Sequence, residues 1–149
     1  MKSMNTDSIN EHYSADHDRL DDLFRQFQTL KVSDRQKAVA AFKEFQAGLE
    51  RHILWEEEIL FPSFERKTGH TGGPTEMMRW EHRQIRGFLD AIADKLAQAG
   101  GDTASEEMGL LSVLEAHNQK EEGILYPMID QMTGAEERTE IFAEMSQTI

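Results

Sequence analysis

The sequence predicts an all-α protein, an up-down-up-down four-helix bundle with a short C-terminal helix and an internal pseudo-twofold repeat. Three observations carry this reading. Every long segment places its apolar residues at three-or-four spacing, the period of one helix face. Shifted by 65 residues, the chain overlays on itself: His17 falls on His82, His52 on His117, Glu56 on Glu121, and His52–Pro62 reads as His117–Pro127 written earlier. The connections are short and no strand pattern is evident, which favours antiparallel neighbours.

Ile9, Tyr13, His17, Leu20, Phe24 and Phe27 mark a first helix from about Asn5 to Thr29. A second runs from about Asp34 to Phe64, with Phe42, Phe45, Leu49, His52, Glu56 and Leu60 on one stripe and a Ser33/Gln36 capping box at its start. After the turn-rich Lys67–Pro74 stretch, Met78, His82, Ile85, Leu89, Ile92 and Leu96 form a third, stopped by Gly100 and Gly101. Thr103 with Glu106 caps a fourth, carrying Leu110, Leu114, His117, Glu121, Leu125 and Met128. Thr133 and Glu136 repeat the cap before a short final helix with Ile141, Phe142 and Met145. Pro62 and Pro127 each remove a helical hydrogen bond, so a kink or a stop is expected there.

The 149 residues fit a single domain, 1-149, large enough to bury roughly 68–70% of the unfolded surface. Acidic residues number 28 against 16 basic, a net charge of −12, which argues against nucleic acid or a lipid headgroup surface as partner. There are no cysteines, so disulfides and thiolate-held clusters are excluded. No apolar run approaches the roughly 20 residues of a membrane span, and the polar start lacks the apolar segment of a secretory signal; a cytoplasmic protein is expected.

His52 and Glu56 are four apart, as are His117 and Glu121, so each pair shares a helix face. Both pairs lie in phase with the leucines and therefore point inward. An inward carboxylate is costly unless its charge is compensated, and no Lys or Arg on these stripes is placed to do so. A metal would serve. Four imidazoles and two carboxylates, one histidine from each of helices 1 and 3 and a His-x-x-x-Glu from each of helices 2 and 4, suit a dinuclear site, with iron favoured and zinc or manganese as substitutes. The candidate metal ligands are His17, His52, Glu56, His82, His117 and Glu121.

His17, His52-x-x-x-Glu56, His82 and His117-x-x-x-Glu121-Glu122, trailed by Phe61-Pro62 and Tyr126-Pro127, resemble the hemerythrin-like (HHE) cation-binding domain over roughly Ile9 to Ile129. The resemblance implies two irons per chain, oxo- or hydroxo-bridged, with Glu56 and Glu121 shared and the histidines terminal. The family's oxygen carriers have a fifth histidine one turn from His82, where this chain has Met78 and Arg86, and a His-x-x-x-x-Asp in place of His117-x-x-x-Glu121. The four-histidine, two-glutamate set is similar instead to proteins that repair iron–sulfur centres and react with nitric oxide, although those carry cysteines absent here. The implied function is binding of a small oxidant (dioxygen, nitric oxide or peroxide) for sensing, storage or detoxification, as in a stress response. The alternative is iron–sulfur repair, iron donation, or nitric oxide or peroxide reduction. The redox partner is not legible.

Asp16 and Glu81, each preceding a candidate ligand, and Glu57 and Glu122, each following one, either orient imidazole N–H groups or belong to an acidic surface. Tyr13 either reaches a ligand or packs in the core with its hydroxyl on a backbone acceptor. Gly48 either opens an access path or eases helix packing. Trp55 pairs with Lys120 in the overlay and points to an exposed rim, met by solvent or by a second copy in a homodimer. His12 and His70 read as solvent-exposed, and Met77–Met78 as core filler.

Overall fold

A computed structural model of the chain describes residues 8–70, 72–98 and 101–148, and these are helical with no strand. The expected start at Asn5 and the Gly100 stop lie outside the described residues. Helix α1 (Ile9–Leu30) begins where Ser8 accepts a hydrogen bond from the Glu11 amide at 2.9 Å. The Asp130 carboxylate, from the far end of the chain, accepts from the Ile9 and Asn10 amides at 2.6 and 3.0 Å. Both acceptors satisfy donors that a helix start leaves unpaired, and the carboxylate meets the positive end of the helix dipole.

Helix α2 (Arg35–Trp55) is capped by Asp34, which accepts from the Lys37 amide at 3.2 Å, not by the expected Ser33. The Ser33 amide is committed to the turn that ends α1, bonding Leu30 O at 3.0 Å. The rod neither ends nor breaks at Pro62. It widens through a π-turn, π1 (Glu56–Leu60), where the Phe61 amide reaches Glu56 O five residues back, and continues as α3 (Phe61–Thr68) to Gly69 at φ 73°. The second half repeats this: α5 (Ala104–Lys120), π2 (Glu121–Leu125) with the Tyr126 amide on Glu121 O, and α6 (Tyr126–Met132). A proline has no N–H and crowds the carbonyl four residues before it, here Glu58 or Gly123. Shifting the register by one residue just ahead of Pro62 and Pro127 relieves that crowding without stopping the helix.

Between these rods lies α4 (Pro74–Leu96), with proline at its first position, where the missing N–H costs nothing. Helix α7 (Ala135–Gln147) starts one residue later than expected, the Glu137 carboxylate accepting from the Gly134 amide at 3.4 Å. Thr133 instead closes α6 by donating to Ile129 O at 2.9 Å. Thr103 does head α5, but its hydroxyl donates to Glu107 and Asp102 takes the Ala104 amide.

Helix α1 packs chiefly on α2 and α4 on α5, while α6 returns to α1. Gly48 belongs to the first seam: a Cβ there would stand 2.8 Å from Leu20 Cδ2, so it lets the two helices approach closely. Two apolar layers result. One is rich in phenylalanine (Phe24, Phe27, Phe42, Phe45) with Leu20, Leu49, Ile85, Leu89, Leu110 and Leu114. The other contains Ile9, Tyr13, Leu60, Phe61, Phe64, Met78, Leu125, Tyr126, Ile129, Ile141 and Met145. No helix among the described residues is long and apolar enough to cross a membrane.

Candidate metal centre

The candidate ligands fall between the two layers on every rod. On α1, His17 lies between Tyr13 and Leu20; on α4, His82 lies between Met78 and Ile85; the His52–Glu56 and His117–Glu121 pairs bridge Leu49 to Leu60 and Leu114 to Leu125. The six side chains are at most 3% exposed, and Glu56 and Glu121 are fully buried. A polar slab has therefore been built inside an apolar bundle, at a place where each group must find a partner.

Each imidazole finds one on its outer side. His17 Nδ1 is 2.7 Å from Glu122, His52 Nδ1 2.9 Å from Asp16, His82 Nδ1 2.7 Å from Glu57 and His117 Nδ1 2.8 Å from Glu81. An ionised carboxylate can only accept, so each Nδ1 carries a hydrogen and Nε2 is the ring nitrogen turned inward. Asp16 and Glu81 thus serve the histidine 36 residues on, and Glu57 and Glu122 serve the histidines of α4 and α1. Three of these four outer carboxylates are tied down in turn, Asp16 by Arg19, Glu81 by Lys120 and Glu57 by Arg86.

On the inner side the four Nε2 atoms face two carboxylates. His82 and His52 lie 2.9 and 3.4 Å from Glu56, and His17 and His117 each lie 3.2 Å from Glu121. The donors form two groups, His17–His52–Glu56–Glu121 and Glu56–His82–His117–Glu121, each with its ligand atoms within 4.8 Å of one another. Both glutamates belong to both groups. With no metal, protons replace it: burial alone would lower His52, but the charge of Glu56 and hydrogen bonds to Asp16 and Glu56 outweigh it and lift the imidazole to about 10. His117 is likewise lifted to about 9, by Glu121 against its own burial. Burial would raise Glu56, yet the positive charge of His52 and hydrogen bonds from His52 and His82 hold it well below the ordinary carboxylate range. His52 and His117 thus supply compensation that the sequence left to a cation, and a cation has to displace their protons.

Among known families, the hemerythrin HHE cation-binding domain matches residues 8–129, the stretch that carries all six buried groups and their four outer carboxylates. The chain belongs to the hemerythrin HHE cation-binding family. No curated protein and no solved structure gives a significant match. Membership makes this a metal-binding helical protein, with iron the metal expected of a hemerythrin domain.

The residues present suit such a metal. Borderline imidazole nitrogens and carboxylate oxygens converge in a buried cluster, and one oxygen, Glu121 Oε2, makes no well-aligned hydrogen bond and has only the His117 Nε2 ion pair at 3.2 Å, a lone pair a cation could take. Tyr126 was not legible as part of this hemerythrin centre. Its single O–H is shared between two acceptors, Glu56 and Glu121, the latter at 2.8 Å, and its oxygen lies 3.3 Å from both His17 Nε2 and His52 Nε2. In an α-helix a residue five beyond Glu121 would lie roughly 140° around the axis; π2 brings it over the site. The only sequence signal was the mismatch with Phe61, whose ring stacks on His82 at 5.9 Å where the Tyr126 ring leans on His17 at 5.7 Å.

The remaining candidates settle simply. The Tyr13 hydroxyl is buried with no hydrogen-bond partner, so the expected backbone acceptor is absent, while its ring meets His52 and Tyr126. Trp55 is half-buried, its Nε1 on Met145 O, and Arg51 covers its ring. His12 and His70 are exposed, His12 stacking on Phe142. Met78 is core, whereas Met77 is 52% exposed.

Proposed function

We propose that this hemerythrin domain holds two iron ions, one between His17 and His52 and one between His82 and His117, shared through Glu56 and Glu121, and that it binds a small oxidant there: dioxygen, nitric oxide or peroxide. The supporting observation is the overlap of two buried four-donor groups in both glutamates. Zinc or manganese would fit the same donors; iron adds the capacity to exchange electrons with the oxidant. The recurrence of each outer pair in the second half supports the reading as a pseudo-twofold, up-down-up-down bundle forming one domain.

The protein's own groups do the rest. Asp16, Glu57, Glu81 and Glu122 hold each Nδ1–H, so the rings are oriented before a metal arrives and Nε2 is the nitrogen that gives up its proton to take it. The phenylalanine-rich layer on one side and the Tyr13–Leu60–Ile129 layer on the other exclude water and keep larger reductants out. Two imidazoles and two carboxylates per ion leave room for a small exogenous ligand.

The test is metal analysis of the purified protein with absorption spectra of the anaerobically reduced form before and after dioxygen or nitric oxide. Two irons per chain and a spectrum that changes on adding gas support the proposal; a protein that takes up no iron sinks it. A reversible change without consumption marks a binder. Sustained consumption of peroxide or nitric oxide with added reductant marks a reductase, and transfer of iron to a cluster-depleted protein marks repair.

A further inference from the structure

The two halves of the centre differ in the residue that follows each π-turn. Tyr126 and Phe61 are counterparts in the overlay, both follow a π-turn, and both rings lie against a histidine. Only Tyr126 carries an oxygen, and that oxygen sits among all four donors of one group: hydrogen-bonded to Glu56 and Glu121, and 3.3 Å from His17 Nε2 and from His52 Nε2. A cation held at ordinary bond lengths, about 2.0–2.2 Å from nitrogen and oxygen donors, has to occupy nearly the place where the hydroxyl now is. The oxygen then either leaves or binds. Leaving would strand a hydroxyl in a site that is fully buried, and all four of its neighbours would by then be engaged by the metal.

We infer that Tyr126 is a ligand to the metal of the His17–His52 half, making the centre asymmetric. The inference rests on the dinuclear reading above. The phenol O–H bond breaks and an oxygen–metal bond forms; the proton passes to bulk water and no electron changes hands. The His82–His117 half has Phe61 in place of that oxygen and so keeps the position at which an exogenous ligand enters.

The chain contains two tyrosines, Tyr13 and Tyr126, which makes the test clean. The full-length protein is loaded with ferrous iron, oxidised in air, and examined by visible absorption and resonance Raman, with iron counted in each sample. Wild type shows a phenolate-to-iron charge-transfer band with enhanced tyrosine ring vibrations. Tyr126→Phe keeps two irons per chain and loses the band entirely; Tyr13→Phe keeps both. Should Tyr126→Phe fold poorly, a band that survives in Tyr13→Phe assigns it to the only tyrosine left. Two irons without a band in wild type, a band retained in Tyr126→Phe, or one lost in Tyr13→Phe, overturns the inference alone. Failure to take up iron overturns the dinuclear reading as well.

Discussion

Asp16→Asn tests whether the outer carboxylates set the metal affinity. Asp16 lies 2.9 Å from His52 Nδ1 and 2.9 Å from Arg19 Nε, and its side chain is 12% exposed. Burial would raise its carboxyl, but the hydrogen bond and charge of His52, with those of Arg19, bring it down to about 2 from an ordinary 3.8. That net shift corresponds to about 2 kcal/mol in favour of the charged carboxylate, left over after its two partners have offset the cost of burial. The Arg19 side chain is 42% exposed, so solvent screens its share; about 1–2 kcal/mol falls to His52. Asparagine keeps the shape and an acceptor oxygen but not the charge, so the imidazole becomes a poorer donor. Metal affinity should fall by about 10-fold, at the low end of the 10–100-fold range for such outer partners. Competition against a chromophoric chelator measures it, with Asp22→Asn, which breaks an exposed pair with Arg25, as the control. An affinity within about twofold of wild type for Asp16→Asn, in a protein that binds metal, would refute the reasoning.

Replacing His52 or His117 by alanine should bring bound iron well below two per chain, read by metal analysis; an unchanged content would show these imidazoles are not ligands. In the metal-free protein, His52 and His117 are raised to about 10 and 9, so their contribution to stability is fully present below the ordinary 6.5 and is lost as pH rises through 9 to 10. The apo melting temperature should therefore drop between pH 7 and pH 10, a trend that a flat profile would contradict. Loaded protein should behave oppositely on the acid side, releasing metal as protons return to the imidazoles, which a dialysis series at falling pH would show. Away from the centre, Glu107 is 3% exposed and holds Lys31, Thr103 and Gln28 at 2.5, 2.5 and 3.0 Å. Glu107→Ala should cost about 1–3 kcal/mol in denaturant unfolding and leave iron content unchanged.

The clustering of the six candidate residues was legible because it depends on periodicity: residues four apart on a leucine-bearing stripe share its inward face, and His17, His52, Glu56, His82, His117 and Glu121 are brought together as those stripes require. The outer carboxylates were half legible, since Asp16 and Glu57 were visible as neighbours of candidate ligands, but pairing Asp16 with His52 depends on how two rods pack. Tyr126 escaped because the sequence was read on a uniform 3.6-residue turn, whereas the chain changes register immediately before it. Pro62 and Pro127 were the clue to that change, read as breaks when the helix had a wider turn available. The caps moved by one residue at Asp34 and Gly134 for a local reason: Ser33 and Thr133 were already spent closing the preceding element.

Asp130 lies one residue beyond the matched family region, yet its two oxygens take the opening amides of the helix that carries His17. A protein trimmed to that region for expression would lose this clamp, at a cost of about 1 kcal/mol typical of a lost helix cap. Fraying would begin about two turns from His17. Boundaries for a minimal version of this domain should therefore be drawn past α6, not at the end of the recognisable motif.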